Sequence, residues 1–163
     1  MADLVWSDEL LEEARRTRDD VAATLERLGV PGELELTGAS SLPGALTKGD
    51  VDLHLRVAPS EFGAAVAALG RVYRRGSPQA WADTLAVFDV GPPVGPPVLR
   101  PTGIAVTPVG SVHDHRFRTT WQVLRRDPRL LERHNALKRA AYGTGHYEEA
   151  KSAFFTEVCA PSP

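Results

Sequence analysis

The chain is poor in cysteine and in long apolar runs. Its 163 residues include a single cysteine, Cys159, which excludes an internal disulfide and fits a reducing compartment. No apolar stretch approaches the ~20 residues that a membrane-spanning helix needs. The first residues, Met1 to Leu4, lack the basic segment and apolar core of a signal peptide. These absences predict a cytoplasmic protein without a membrane segment.

An excess of basic residues is absent too. The sequence has 19 Lys and Arg against 21 Asp and Glu, which gives a formal net charge of −2. General nucleic-acid binders need a basic surface, so this balance argues against a nucleic-acid partner. A local basic patch is still compatible with it, because charge can balance globally and segregate locally.

What is present is an ordinary globular composition, with 42% hydrophobic and 25% charged residues. A length of 163 residues is typical of one domain. We therefore expect a single domain over 1–163, with a helix-plus-sheet core over 1–109 and C-terminal helices over 110–163.

Hydrophobic periodicity divides the chain into helices and strands. Apolar residues at helical spacing predict helices over 7–29, 59–69, 114–126, 129–142 and 147–158, and one helical turn over 42–48. Alternation predicts strands over 33–37, 50–57, 72–73, 84–90 and 103–109. Residues 74–83 should form a loop, and the Pro/Gly-rich segment 91–101 a long hairpin connection or flap. This order predicts an α+β fold: a mixed β-sheet with helices packed mainly on one side and a helical C-terminal region.

A glycine-serine corner followed by two aspartates is the pattern with the most chemical content. The first long strand runs into Gly38, and a tight turn there with Ser40 and Ser41 would expose N–H groups and hydroxyls that suit phosphate oxygens. Asp50 and Asp52 are two residues apart on a strand, so they share one face about 7 Å apart. Mg²⁺ prefers a site in which a few carboxylates and the phosphates of the substrate supply its ligands. The pattern predicts a magnesium site at the two aspartates beside a nucleotide-binding corner.

Each of these residues also has a structural explanation. Alternating aspartates can protect an exposed strand from edge pairing, and serines can cap a short helix. Lys48 either neutralises phosphate or is a solvated loop lysine. Asp89, on the strand over 84–90, is the candidate for a third catalytic carboxylate beside Asp50 and Asp52; alternatively, it only begins the Pro/Gly turn.

The histidines carry less signal. His113 and His115 flank Asp114 at a predicted helix start, but no further His or Cys lies nearby to complete a zinc site. His54 shares a strand face with Asp52, where it either lines the pocket or is satisfied by other partners. His134 lies within a predicted helix and carries no signal.

Two further groups of residues leave alternatives open. Among the tryptophans, Trp81 has the best claim to a ligand contact, because it lies in a predicted loop. The basic run that extends from Arg125 to Arg139 and includes Lys138 is expected to be the solvated face of a helix pair. Its alternative role is contact with an acidic partner or RNA.

The spacing of the corner and the aspartates resembles the nucleotidyltransferase superfamily, the fold of DNA polymerase β. The signature of that superfamily is Gly-Ser followed about ten residues later by Asp-hydrophobic-Asp. Here Gly38 with Ser40 or Ser41 and then Asp50-Val51-Asp52 match it. The resemblance implies the fold of that superfamily and divalent-metal chemistry on a nucleoside triphosphate.

A closer resemblance, to the GrpB family, covers most of the chain. Residues 38–53 look like its Gly-Ser-Thr-Ser-Val-Pro-Gly-Leu-Ala-Ala-Lys-Pro-x-x-Asp stretch. The segments Leu124–Pro128, Asn135–Lys138 and Tyr147–Phe155, with Lys151, resemble its helical tail. The family implies a nucleotidyltransferase-like fold, while its biochemical activity is poorly defined.

The sequence departs from that family in two ways. Asp50 is acidic where the family often has an apolar residue, which favours a working transferase. The strand Thr102–Thr107 lacks the histidines that the family usually carries there, and it lacks a carboxylate.

Two functions follow as hypotheses. The first is metal-dependent transfer of a nucleotidyl group from a nucleoside triphosphate to a small-molecule acceptor, with Mg²⁺ at Asp50 and Asp52. The second is a catalytically inactive module that binds a nucleotide or a phosphorylated metabolite, which the missing third carboxylate favours. A protein-interaction role through the C-terminal helices is a weaker third.

Overall fold

The computed structural model describes residues 3–91 and 100–160. Its helices are α1 (Leu11–Arg27), α2 (Phe62–Leu69), α3 (Val112–Arg126), α4 (Pro128–Ala141) and α5 (Tyr147–Val158). Its strands are β1 (Val5–Trp6), β2 (Glu33–Thr37), β3 (Leu46–Thr47), β4 (Val51–Val57), β5 (Arg74–Arg75), β6 (Ala86–Val90) and β7 (Thr102–Pro108). Most of the predicted Pro/Gly connection, residues 92–99, lies outside the described residues. Within the described ranges, no helix combines the length and the apolar character needed to cross a bilayer.

Five strands form one mixed sheet in the order β2-β4-β7-β6-β5, as the predicted fold class requires. Strands β4 and β7 are parallel, and the other neighbouring pairs are antiparallel. The register places Asp52 on β4 opposite Gly103 on β7, and Gly103 opposite Asp89 on β6. Because side chains alternate between the two faces of a strand, these three residues form one row on the same face of the sheet.

The opposite face of the sheet carries the main apolar core. The alternating residues of β4, Val51, Leu53, Leu55 and Val57, are each at most 1% exposed. Helices α1 and α2 cover them, and the core is completed by Ala14, Val21, Leu25, Ala65, Leu69, Phe88, Ile104 and Val106. Burying an aliphatic side chain of this size stabilises the fold by about 1.5–3 kcal/mol. The polar residues that alternate with these four along β4 therefore lie on the other face of the sheet.

A second, smaller core joins the C-terminal helices to the segment between β2 and β4. Its buried members are Ala39, Leu42, Ala45, Leu124 and Phe154. Side chains of α4 also bond to the backbone of this segment. Asn135 donates to the carbonyl of Gly44 at 2.9 Å and accepts from the amide of Leu46 at 2.8 Å, and Lys138 Nζ donates to the carbonyl of Leu46 at 2.8 Å. Helix α4 therefore fixes the segment that leads into the two aspartates.

The predicted helical turn over 42–48 is wrong. Gly44 has a φ of +76°, which interrupts any right-handed helix, and the chain then extends into β3. Strand β3 pairs with β1, an element that local periodicity did not predict. Two-residue strands of this kind depend on a distant partner, so their sequences carry little signal.

The predicted strand over 72–73 is also wrong. The amides of Val72 and Tyr73 both donate to the carbonyl of Leu69, which continues the C-terminal turn of α2. The strand forms at Arg74–Arg75, inside the predicted loop. Beta-branched and aromatic residues favour strands, but the hydrogen bonds at the end of a helix outweigh that preference here.

An ion pair holds α3 against the polar face of the sheet. Arg56 on β4 donates from Nε and Nη2 to the two carboxylate oxygens of Asp114, at 2.6 and 3.0 Å. Asp114 is 3% exposed and also accepts from the amide of Gly110 at 2.8 Å. The hydrogen bonds from Arg56 hold the pKa of Asp114 below its ordinary value, although burial opposes them.

We expect Asp114→Asn to lower the free energy of unfolding by about 3 kcal/mol at pH 7, because it removes the buried anion of Arg56 and leaves only the exposed Glu33 carboxylate as its partner. A carboxyl with a lowered pKa stabilises the fold only while it is ionised. The difference should therefore shrink as the pH falls below about 4. Urea unfolding at pH 7 and pH 3 measures both effects. The control is Glu33→Gln, which removes the exposed second partner of Arg56 and should cost under about 1 kcal/mol. Equal losses in the two variants would contradict the prediction.

Candidate functional site

A cavity of about 190 Å³ lies between the segment leading into β4 and the C-terminal helices. Two carboxylates and three lysines line one part of it, and aromatic rings line another. The lining residues are Ala39, Lys48, Asp50, Asp52, Trp121, His134, Lys138, Tyr147, Lys151 and Phe155. The structure therefore brings together three residues that the sequence singled out: Lys48, Asp50 and Asp52.

Gly38 allows the chain to turn directly against the Asp52 carboxylate. Its φ of +71° and ψ of −177° lie in a region that is essentially restricted to glycine. A Cβ at this position would overlap Asp52 Oδ2 and would lie 2.9 Å from Asp52 Cβ. The glycine is thus needed both for the backbone conformation and for the space that the carboxylate occupies.

The two serines after this glycine organise the corner. Ser40 and Ser41 are 1% and 8% exposed. The Ser40 hydroxyl donates to the carbonyl of Asp50 and lies 3.1 Å from Thr47 Oγ1, while the Ser41 hydroxyl donates to the carbonyl of Gly38 at 2.7 Å. Both hydroxyls fix the path of the backbone beside Asp50. Their predicted role in nucleotide binding stays a prediction.

The electrostatics of the cavity centre on Asp50 and Asp52. Lys48 Nζ lies 3.0 Å from Asp50 Oδ2. Burial and the neighbouring charge of Asp50 raise the pKa of Asp52 to about 6. Burial disfavours the charged form of Lys48, but attraction to Asp50 and Asp52 outweighs it and raises the pKa of Lys48. The carboxylates of Asp50, just before β4, and of Asp52, on β4, are thus held close enough to repel each other, which a cation between them would relieve.

Two lysines of the C-terminal helices face these carboxylates. Lys138 is 6% exposed, and burial lowers its pKa to about 8 although Asp50 attracts its charged form. Lys151 pairs with Glu148 at 2.7 Å and remains about one-third exposed. Together with Lys48 they give the cavity three cationic groups against two carboxylates. Asp50 and Glu148 balance part of this positive charge, and the three ammonium groups can contact an anionic ligand.

Part of this wall differs from what the sequence predicts. Lys138 was expected on a solvated helix face, and that prediction is wrong because its side chain is buried against Leu46. His134 carried no signal, yet it lines the cavity one helical turn before Lys138. The available signal was the resemblance of Asn135–Lys138 and of the segment around Lys151 to the GrpB tail.

Asp89 lies two strands from Asp52 on the same face of the sheet, with Gly103 between them. Its carboxylate lies 3.5 Å from Arg74 Nη2, at the edge of the sheet. Within residues 3–91 and 100–160, no three His, Cys, Asp or Glu side chains are grouped so that they could share a metal ion. A role for Asp89 as third carboxylate therefore stays a prediction.

Other candidates have structural partners. His54 is 1% exposed, hydrogen-bonds through Nε2 to Thr107 Oγ1 at 2.8 Å and stacks on Phe117. It is therefore a satisfied core histidine. His113 Nδ1 lies 2.6 Å from Thr84 Oγ1. Asp114, between His113 and His115 in the sequence, forms the ion pair with Arg56.

The tryptophan beside the carboxylates is Trp121. Trp81, the expected candidate, instead donates from Nε1 to the carbonyls of Gly76 and Val87 and packs edge-on against Phe88. Trp121 lines the 190 Å³ cavity. It also lines two neighbouring cavities, of about 230 Å³ and 540 Å³. All three cavities therefore have Trp121 in their walls.

The two adjoining cavities differ from the first in their lining. The 230 Å³ cavity has Gly103 and one side of Asp52 in its wall. The 540 Å³ cavity is mainly apolar, with charged groups at Arg116 and Lys151. Its volume is within the range typical of small-molecule sites.

Comparison with known proteins supports the fold. No protein-family model and no curated protein matches the chain. Among solved structures, the conserved protein GrpB from Enterococcus faecalis superimposes with a TM-score of 0.67 at 15% identity, over 90% of each chain. The Cid1 poly(U) polymerase with MgGTP bound gives a TM-score of 0.52 at 16% identity, over 78% of this chain and 41% of that one. With Mg 3'-dATP bound, Cid1 gives 0.51 at 16% identity, over 90% and 49%.

These likenesses establish the architecture. The chain has a nucleotidyltransferase-like fold, and the resemblance to GrpB that the sequence suggested is confirmed at the level of the fold. The chain spans less than half the length of Cid1. The chemistry therefore has to be argued from the residues of the cavity.

Proposed function

We propose that this protein transfers a nucleotidyl group from a nucleoside triphosphate to a hydroxyl or phosphate of a small-molecule acceptor, in a Mg²⁺-dependent reaction. The observation that carries the proposal is the placement of Asp50 and Asp52 in one cavity with three lysines beside the glycine corner. Cid1, of similar fold, binds MgGTP and Mg 3'-dATP. That similarity supports the same class of ligand here.

Asp50 and Asp52 fit a magnesium ion. They offer hard carboxylate oxygens at the start of β4, and their small number leaves positions for water and phosphate oxygens, as Mg²⁺ prefers. When bound, the ion would neutralise phosphate charge and stabilise the departing pyrophosphate.

The remaining groups of the cavity would bind and orient the triphosphate. Lys48, Lys138 and Lys151 would pair with its non-bridging oxygens, and the corner at Gly38 would let the phosphates approach the backbone closely. An oxygen of the acceptor would then attack the α-phosphorus while the bond to the pyrophosphate oxygen breaks. A hydroxyl acceptor would lose its proton to a carboxylate on the sheet face, a role that we assign to Asp89.

The acceptor would occupy the mainly apolar 540 Å³ cavity beyond Trp121. That cavity shares Trp121 with the two cavities that Asp52 lines, and the 230 Å³ space over Gly103 would let an acceptor oxygen reach the reacting phosphorus. The volume suits a small organic molecule. The net charge of −2 argues against a nucleic-acid acceptor.

The second candidate function is a module that binds a nucleotide without turning it over. The observation that favours it is the pairing of Asp89 with Arg74 at the sheet edge instead of with the other two carboxylates. The two functions are separated by incubating the protein with each nucleoside triphosphate, Mg²⁺ or Mn²⁺ and a metabolite pool. Pyrophosphate release that requires metal and acceptor supports the enzyme, whereas tight nucleotide binding without release supports the module.

The pKa of Asp52 predicts how metal binding depends on pH. A carboxyl must be ionised to bind a cation, so we expect Mn²⁺ affinity to rise through pH 6 and to level off above pH 7. The affinity at pH 7 should exceed that at pH 5 by about tenfold, because one proton is displaced. Titration calorimetry with Mn²⁺ at several pH values measures this. A constant affinity between pH 5 and pH 7 would contradict metal binding at Asp52.

A further inference from the structure

His134 is a buried side chain with unused hydrogen-bonding capacity. It is 1% exposed, and neither Nδ1 nor Nε2 has a hydrogen-bond partner among the described residues. Buried polar atoms are nearly always paired in folded proteins, and leaving one unpaired costs free energy. The other fully buried histidine, His54, follows that rule through Thr107. His134 therefore lacks a hydrogen-bond partner within residues 3–91 and 100–160.

The position of His134 shows where such a partner would come from. Its ring contacts Trp121, Phe154 and Phe155, at centroid distances of 6.0, 5.8 and 5.6 Å, and it forms part of the wall of the 190 Å³ cavity. None of these three rings forms a hydrogen bond with the imidazole nitrogens. The same cavity also contains Asp50 and Asp52.

The charged groups that influence the pKa of His134 are two lysines. Lys138 stands one helical turn further along α4, and Lys151 reaches the same cavity from α5. Burial first, and then these two lysines, lower the pKa of His134 to about 4, so the ring is neutral near pH 7 and offers one N–H donor. Two ammonium groups beside an unpaired N–H donor form a site for anionic oxygens rather than for a neutral heterocycle.

We propose that His134 donates a hydrogen bond to a phosphoryl oxygen of the bound polyphosphate, and that it forms an anion subsite with Lys138 and Lys151. This inference deepens the proposed function, on which its identification of the ligand as a triphosphate rests. Among the described residues the imidazole packs against aromatic rings and has no polar partner. The ligand supplies the missing acceptor. The unpaired imidazole therefore lowers the stability of the free protein and raises the affinity for the ligand.

Inorganic tripolyphosphate with Mg²⁺ is the probe for this subsite, because it contains the phosphoryl groups without sugar or base. We expect His134→Leu to weaken tripolyphosphate binding by about tenfold or more, the usual effect of losing a hydrogen bond to a charged group. The melting temperature of the free variant should equal or exceed that of the wild type, because an unpaired buried polar group has been replaced by an apolar one. His134→Gln, which retains an N–H donor, should recover part of the affinity.

His54→Leu is the matched control. It removes a histidine that is equally buried but is bonded to Thr107 and stacked on Phe117. We expect the opposite pattern, a lower melting temperature with tripolyphosphate affinity within about twofold of the wild type. The contrast between the two leucine variants separates a ligand-binding histidine from a structural one.

Several results would overturn the inference. One is a His134→Leu variant that loses stability and keeps its affinity, which would make the residue structural. Another is weaker ATP binding with unchanged tripolyphosphate binding, which would move the contact to the sugar or base. Failure of the wild type to bind tripolyphosphate would also refute it. If binding depends on His134 but no acceptor yields pyrophosphate release, the subsite stands and the proposed transfer reaction fails.

Discussion

Replacing Asp52 with asparagine is expected to reduce metal-dependent pyrophosphate release by about a thousandfold. Asparagine keeps the shape of the side chain beside Gly38 but removes the charge that would hold Mg²⁺ against the phosphates. Loss of several kcal/mol of transition-state stabilisation corresponds to a factor of this size. The assay is pyrophosphate release with the acceptor and nucleotide that the wild type uses best, measured at saturating Mg²⁺.

The stability of this variant makes the loss of activity interpretable. Because the pKa of Asp52 is raised in the folded protein, its ionised form destabilises the fold above pH 6. Asp52→Asn should therefore unfold at an equal or higher temperature than the metal-free wild type at pH 7. Asp20→Asn, at an exposed position of α1 on the other side of the sheet, removes the same charge and should retain activity. Undiminished activity of Asp52→Asn would eliminate the proposed metal site.

Asp89→Asn decides whether the third carboxylate takes part. If Asp89 accepts the proton of an acceptor hydroxyl, the variant should lose about 10²- to 10⁴-fold in rate at pH 7 and keep its metal affinity. Unchanged activity would remove Asp89 from the mechanism. The proton would then have to go to water or to a group outside the sheet face.

The corner and the aspartates could be predicted from sequence because local geometry determines them. Alternation along β4 sends Val51 and Leu53 to the core, so Asp52 must face the other way. The strand that precedes Gly38 ends at a glycine with positive φ, which a Gly-Ser turn typically requires. Neither inference needed knowledge of distant contacts.

The helical wall of the cavity could not be predicted in the same way. Helix α4 buries His134, Asn135 and Lys138, whereas Arg133 and Arg139 beside them are exposed. Hydrophobic periodicity assumes that the apolar side of a helix faces inward. Here the polar side faces inward because it meets the backbone of Gly44 and Leu46 and the cavity itself. Only the tertiary arrangement shows which lysines of a basic run reach the site.

Gly38→Ala should disable the site through geometry alone. The added Cβ would overlap Asp52 Oδ2, and the backbone at φ +71° and ψ −177° would be strained in any residue other than glycine. We expect a loss of about 3 kcal/mol in the free energy of unfolding. We also expect at least about a hundredfold loss in metal-dependent pyrophosphate release, because displacing a metal ligand by about 1 Å has effects of that size.

Gly110→Ala and Gly63→Ala separate the two causes. Gly110 also has a positive φ, +81°, but a Cβ there would meet nothing within 4 Å, so its variant should lose about 1–2 kcal/mol of stability and no activity. Gly63, in helix α2, has neither constraint, and alanine there should stabilise the fold by up to about 1 kcal/mol. The activities of Gly38→Ala and Gly110→Ala are compared at equal fractions of folded protein. The difference between them measures the effect of the overlap with Asp52. If both lost activity equally, backbone strain would explain the effect and the contact between Gly38 and the Asp52 carboxylate would have no special role.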